Sequence, residues 1–105
     1  MLIRTVRMTF APATLAAFHD LFEASQPYIR AQPGCEHLEL WEDARYPNVL
    51  TTYSLWADDE SLQDYRQSEL FKTTWARTKP MFAAAPEARS QTVARANVLP
   101  ARPGT

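Results

Sequence analysis

The 105-residue chain contains one cysteine and two glycines, and its charges nearly cancel at a formal net charge of −1. Cys35 therefore has no partner for an intrachain disulfide, and a cysteine-rich metal site is excluded. A near-neutral chain without a cluster of Lys or Arg gives no electrostatic basis for nucleic-acid binding. A lone cysteine also favours a reducing, cytoplasmic setting.

Long apolar runs are missing as well. Arg4 and Arg7 interrupt the apolar residues at the N-terminus, so this segment lacks the apolar core of a secretory signal. No uninterrupted apolar run approaches the ~20 residues of a membrane-spanning helix, and we expect no membrane partner. The sequence contains no P-loop, no dinucleotide fingerprint and no spacing typical of metal ligands. The sequence therefore indicates no metal site and no cofactor site.

What the chain does contain is enough apolar residues for one core. It is 46% hydrophobic and 11% aromatic, which is typical of a folded domain. We expect one domain over residues 1–96. Residues 97–105, NVLPARPGT, contain two prolines, a glycine and little to bury, so we expect a C-terminal tail or a dimer arm there.

Hydrophobic periodicity predicts six elements in a fixed order. Alternation predicts strands, and apolar residues at helical spacing predict helices. Asp58 or Asp59 and then Ser68 can cap helices, so the second helix should begin near Asp59 and bend near residue 67. The last strand is a weak prediction that depends mainly on Thr92 and Val93. The predicted segments are a strand at 2–10, a helix at about 13–31, strands at 35–43 and 48–56, a helix from 59, and a strand at 87–96.

This β-α-β-β-α-β order is typical of the α+β, ferredoxin-like fold, a four-stranded antiparallel sheet with both helices on one face. The other face of the sheet has no helix to cover it. Both alternating sets of strand residues include apolar or aromatic side chains, so this face should expose apolar area. We therefore expect a homodimer, in which two sheets pack face to face as a dimeric α/β barrel.

Three segments carry a family resemblance: AQPGCEHLELWED, NVLTTYSLWADDESL and QDYRQSELFKTTW. They resemble the antibiotic biosynthesis monooxygenase (ABM) domain, a branch of the dimeric α/β-barrel superfamily, over about residues 1–95. The resemblance implies oxidation of a small aromatic quinol or phenol by molecular oxygen without flavin, haem or metal. Because triplet oxygen does not react directly with closed-shell organic compounds, such a site must make its substrate a good electron donor.

The chain departs from the family pattern at three positions. Tyr65 stands where many members have a histidine, in the pattern that here spans Tyr65 to Phe71. Trp75 aligns with the axial histidine of the haem-degrading branch, and an indole cannot ligate iron. Val6 aligns with an asparagine of strand one in that branch. The resemblance therefore disfavours haem binding or degradation.

We predict His37, Tyr53 and Tyr65 as catalytic residues. Glu39 lies on the same strand face as His37, so a carboxylate could orient the imidazole as a general base. The alternative is a histidine hydrogen-bonded at the dimer interface. The two phenols would donate hydrogen bonds to a substrate oxygen, although aromatic residues at these spacings also occur as ordinary core.

We predict Arg4, Trp41, Phe71 and Trp75 as substrate-binding residues. The three aromatic rings would form the pocket wall. Arg4 lies among apolar residues of the first strand and needs a partner, which is either an acid across the dimer interface or a bound anionic oxygen. We expect packing or surface roles for the remaining candidates, namely His19, Cys35, Trp56 and Arg66.

The leading functional hypothesis is a cofactor-independent monooxygenase that oxidises a small aromatic quinol or phenol. The alternative is a non-catalytic dimeric barrel that binds a small hydrophobic ligand. The sequence leaves open which face of the sheet lines the pocket, and the substrate depends on that choice.

Overall fold

Four strands and three helices follow the predicted order, with the second predicted helix divided in two, in the structure, which is a computed structural model that describes residues 1–97. The strands are β1 (Leu2–Thr9), β2 (Cys35–Glu42), β3 (Val49–Trp56) and β4 (Glu87–Gln91). The helices are α1 (Leu15–Arg30), α2 (Asp59–Arg66) and α3 (Glu69–Thr78), with 3₁₀ turns at Pro12–Thr14 and Lys79–Met81. The α+β, ferredoxin-like fold class is confirmed.

The sheet is antiparallel throughout, with strand order β2-β3-β1-β4. Its register places Arg4 opposite Ser54 and Val6 opposite Thr52, so alternate residues of β1 and β3 share one face. The same face continues on β2, where Leu38 pairs with Ser54. This is the face on which the helices pack.

Two clusters of buried side chains hold the helices to the sheet. One joins α1 to β1 and β3 through Met8, Phe10, Phe18 and Leu50. The other joins α2 to β2 and β3 through Cys35, Trp56 and Leu62. The opposite face of the sheet, called here the uncovered face, has no helix packed on it among residues 1–97.

The second helix breaks where its capping residues predict. Asp58 Oδ1 accepts a hydrogen bond from Ser61 N (2.8 Å) at the start of α2. Ser68 Oγ accepts one from Phe71 N (3.1 Å) at the start of α3, and also donates to the carbonyl of Tyr65 (2.6 Å). These bonds fix the turn between α2 and α3.

The predicted extent of the last strand is wrong. β4 spans Glu87–Gln91, and Thr92 and Val93, on which the prediction depended, lie beyond it. β4 forms by pairing with β1, and the last pair joins Gln91 to Ile3 near the start of β1. Because β1 begins at Leu2, the residues that follow Gln91 have almost no β1 residues left to pair with, whatever their own β-propensity.

Of the segment predicted as a tail or dimer arm at 97–105, residues 98–105 lie outside the described residues. Among residues 1–97, no helix has both the length and the apolar content needed to cross a membrane.

Candidate functional site

A cavity of about 400 Å³ lies between the helix-facing side of the sheet and the helices. Its volume lies in the range of pockets that bind small organic molecules. β1 and β3 contribute Arg4, Val6, Thr52 and Ser54, and the helices contribute Tyr65, Arg66, Phe71 and Trp75. Phe18 and Phe22 of α1 extend the apolar lining.

Aromatic rings in successive contact surround this cavity. Neighbouring ring centroids lie 4.2–6.1 Å apart, within the range of stacked and edge-to-face pairs. The series runs from the α2 end of the sheet to α1 in the order Trp56, Tyr65, Phe71, Trp75, Phe82, Phe10, Phe18 and Phe22. Six of these side chains line the cavity, and Phe10 and Phe82 contact the series without being part of the lining. The cavity can therefore hold a planar apolar molecule.

Tyr65 contributes a phenol side chain to the cavity lining. Its ring stacks on Trp56 (5.1 Å) and meets Phe71 edge to face (5.3 Å). Burial, and then the nearby Cys35 thiol, raise the pKa of Tyr65 to about 12, so the hydroxyl is protonated at neutral pH. Within residues 1–97 its oxygen has no hydrogen-bond partner, which leaves the O–H available to a ligand.

Two guanidinium groups also line the cavity. Arg4 Nη1 donates to Ser90 Oγ of β4 (2.9 Å), and Arg66 Nη1 donates to Gln63 Oε1 (3.3 Å). Burial first, and then the positive charge of Arg66, lower the pKa of Arg4, while Asp59 opposes this change. Arg4 and Arg66 thus bring two like charges to the same cavity lining.

The indole of Trp56 is already satisfied within the protein. Its Nε1 donates to Ser54 Oγ (3.0 Å), and Ser54 Oγ donates to the carbonyl of Arg4 (3.4 Å). Trp56 is only 1% exposed. It offers the cavity a ring surface and no free donor.

A second cluster of predicted residues lies on the uncovered face. Glu39 accepts a hydrogen bond from Trp41 Nε1 (2.7 Å) and pairs with His37 Nε2. Tyr53 stacks on Trp41 (4.7 Å) and meets the His37 ring edge to face (6.2 Å). The side chains of His37 and Glu39 are 45% and 47% exposed, so this cluster is open to solvent or to a partner.

A sequence profile described as "Antibiotic biosynthesis monooxygenase" matches residues 1–77, most of the chain. The chain belongs to the antibiotic biosynthesis monooxygenase family. Its resemblance in sequence and the observed fold agree with this membership.

Solved structures share the ABM fold at low sequence identity. A crystal structure of an antibiotic biosynthesis monooxygenase superposes with a TM-score of 0.85 at 16% identity, covering 90% of this chain and 100% of that one. A protein from Caulobacter crescentus CB15 gives 0.83 at 21% identity, covering 90% of each chain. A protein from Mycobacterium tuberculosis gives 0.84 at 18% identity, covering 92% of this chain and 98% of that one. No curated protein sequence matches significantly.

The sheet of this ABM domain divides the predicted site residues into two groups. Tyr65, Arg4, Phe71 and Trp75 are brought together around the cavity. His37, Tyr53 and Trp41 lie together on the uncovered face. The predicted base and two of its predicted neighbours are therefore separated from the cavity by the thickness of the sheet.

The cavity also contains residues for which the sequence predicted only packing or surface roles. The lining includes Arg66, which is exposed as predicted, and Trp56, which packs in the core as predicted. Tyr65 and Arg66 lie three and four residues after Leu62. This i, i+3, i+4 pattern places the three residues on one side of α2. That spacing was the available signal for Arg66.

The other two candidates lie away from the cavity lining. His19 is exposed on α1. Cys35 is buried beside Trp56 and Leu62, and burial raises the pKa of its thiol, which favours packing over reactivity. Among residues 1–97, no group of three or more His, Cys, Asp or Glu side chains has the arrangement of a metal site.

Proposed function

We propose that this chain is a monooxygenase that oxidises a small aromatic quinol or phenol in the helix-facing cavity, using molecular oxygen and no bound cofactor. The observation that carries the proposal is the aromatic-lined cavity of about 400 Å³ in a member of the ABM family. An apolar pocket with few polar groups suits a planar aromatic substrate.

The proposed reaction balances without a further reductant. One quinol and one dioxygen give one hydroxyquinone and one water, and the quinol supplies all four electrons. One oxygen atom enters the ring and the other leaves in water. Loss of a proton from the quinol makes it a better one-electron donor, which is the step that triplet oxygen requires. A water-poor cavity then keeps the reactive pair together.

Each residue of the cavity has a proposed part in this reaction. The protonated hydroxyl of Tyr65 donates a hydrogen bond to a substrate oxygen, where negative charge develops. Phe71 and Trp75, whose rings are stacked at 5.9 Å, hold the aromatic body of the substrate. Arg4 binds the polar edge of the substrate from the sheet side.

The uncovered face is the competing location for the reaction, because it contains His37, Tyr53 and Trp41. We propose that this face is instead the dimer interface, and that two sheets close there into a barrel. Glu39 already satisfies the imidazole of His37 and the indole of Trp41, and Tyr53 stacks on the same cluster. This arrangement supports the interface role of His37 that the sequence left open.

Oxygen uptake by metal-stripped protein tests the proposal. We would supply reduced naphthoquinols and anthrones, correct for autoxidation, and compare the variants Tyr65→Phe and His37→Ala. We expect protein-dependent uptake in which Tyr65→Phe lowers kcat/KM about 10²-fold, a typical effect of losing one donor to a developing oxyanion. His37→Ala should leave turnover unchanged.

Two outcomes would contradict the proposal. Turnover lost in His37→Ala and kept in Tyr65→Phe would place the reaction on the uncovered face. No protein-dependent uptake, together with thermal stabilisation by the same compounds, would indicate a non-catalytic barrel that binds a small hydrophobic ligand.

A further inference from the structure

Two positive charges border a cavity that is otherwise apolar or neutral. Arg4 projects from β1 and Arg66 is the last residue of α2, and both belong to the cavity lining. The remaining polar lining residues are hydroxyl-bearing side chains such as Ser54, Thr74 and Tyr65. No acidic side chain of residues 1–97 lines the cavity.

Neither arginine is neutralised within the described part of the chain. The pair of His37 and Glu39 is the only contact within 4.0 Å between opposite charges in residues 1–97. Arg4 and Arg66 instead donate to the neutral side chains of Ser90 and Gln63. Asp59 favours the charged form of Arg4 from a greater distance, but the charge of Arg66 outweighs it.

The half-buried Arg4 has more need of an anionic partner than Arg66, whose exposed charge is partly screened by water. Guanidinium groups bind planar oxyanions through paired N–H donors, so carboxylates and phenolates match them in charge and shape. An acid on the uncovered face does not meet this need, because Arg4 lies on the helix-facing side of the sheet.

We infer that the ligand of this cavity is an aromatic compound with an anionic oxygen group, a carboxylate or a phenolate, and that Arg4 and Arg66 bind that group. The inference rests on the cavity being the site of the proposed function, and it names the substrate class. If the group is the phenol that reacts, the two cations lower its pKa, and its proton passes to solvent. The site then needs no histidine or carboxylate as its base.

Binding of probes without oxygen tests the inference by isothermal titration calorimetry. The probes are 2-naphthoate, its methyl ester, which has a similar shape and no charge, and 1-naphthol. We expect 2-naphthoate to bind about tenfold more tightly than the ester, the size of a hydrogen bond to a charged group. For 1-naphthol, a shift of the bound absorption spectrum to that of naphtholate would identify a phenolate as the favoured anion.

Four variants separate charge from structure. Arg4→Met and Arg66→Met should each remove most of the preference for the acid over the ester. Arg77→Met, an exposed arginine of α3 that is not part of the lining, should leave that preference unchanged. Ser90→Ala removes the hydrogen bond from Arg4 to β4 but keeps both charges, so it should also leave the preference unchanged. If Arg4→Met does not fold, Arg4→Lys takes its place, and the preference for the acid over the ester is measured at low and high salt.

The inference is overturned if the ester binds as tightly as the acid and naphthol binds only in its neutral form, or if no probe binds. These probes are not quinols and are studied without oxygen, so the result does not depend on turnover. Turnover of uncharged substrates with no anion preference would remove this inference and leave the proposed function. A preference for anions without oxygen uptake would remove the proposed function and leave this inference.

Discussion

At the scale of single residues, Glu39 organises the uncovered face. One carboxylate accepts hydrogen bonds from both Trp41 and His37, and these bonds, Trp41 first, lower the pKa of Glu39. Because the folded-state pKa lies below the ordinary value of 4.5, the ionised carboxylate stabilises the fold. This stabilisation is fully present above pH 4.5 and is lost as the pH falls through the lower, folded-state pKa.

Replacing Glu39 by Gln should therefore change the pH dependence of stability. We expect Glu39→Gln to have a lower Tm than wild type, by an amount that is constant from about pH 7 to about pH 4.5 and shrinks as the pH falls from there to about 3. Circular dichroism melts across this range measure it. Glu36→Gln is the matched control, because Glu36 is exposed on the same strand and accepts no hydrogen bond among residues 1–97. A Tm difference that stays constant with pH would contradict the expectation.

At the scale of elements, the turn from α1 into β2 positions the start of α2. Gly34 has φ +81°, a left-handed conformation that a side chain disfavours. A Cβ at this position would overlap the side chain of Ser61, in the first turn of α2. The carbonyl of Gly34 also accepts a hydrogen bond from Ala57 N (2.8 Å), so the turn and the start of the helix are held together.

Gly34→Ala should destabilise the chain through both effects. The left-handed conformation alone costs about 1–2 kcal/mol for a residue with a side chain, and the overlap with Ser61 adds to it. Urea denaturation of Gly34→Ala, Ser61→Gly and the double variant measures both. We expect the double variant to be more stable than the sum of the single changes predicts. Strict additivity would show that the overlap relaxes without cost.

The sequence predicted most elements, because their signals are local. Asp58 and Ser68 mark the starts of α2 and α3 through side-chain caps, and periodicity marks the strands and α1. The extent of β4 depends on where its partner strand begins, which is not local information. Thr92 and Val93 therefore misled the prediction.

The candidate site was harder to predict, for a related reason. Alternation correctly separated the set of His37 and Trp41 from the set of Leu38 and Leu40, but both sets include apolar side chains, so it could not say which one faces the helices. The predicted residues were therefore drawn from both faces. Arg66 is exposed, as predicted for a charged residue at a helix end, and only the tertiary packing shows that it also borders the cavity.

At the scale of the whole molecule, the helices leave one face of a four-stranded sheet without a cover among residues 1–97. This face presents the stacked rings of Trp41 and Tyr53, and Trp41 is 44% exposed. Covering apolar surface of this kind with a second copy of the chain lowers the free energy. The proposed homodimer thus gives each face of the sheet a separate task, with assembly on one side and ligand binding on the other.

A charge in the middle of the uncovered face should prevent the proposed assembly. We expect Tyr53→Arg to elute as a monomer and the wild-type chain as a dimer, because burying an unpaired guanidinium at an interface is unfavourable. Size-exclusion chromatography with light scattering measures both masses. Tyr28→Arg is the control, since Tyr28 is 66% exposed on α1 and lies away from this face. A wild-type monomer, or a dimer that survives Tyr53→Arg, would refute the interface.

The placement of the three tryptophans gives the chain two separate optical probes. Trp56 and Trp75 line the cavity, whereas Trp41 lies on the uncovered face. Indole emission responds to the polarity around the ring, so an occupied cavity should alter the fluorescence of the first two and chain assembly that of the third. In a Trp41→Phe variant, the emission would follow the cavity alone, and ligand entry could be timed without a label.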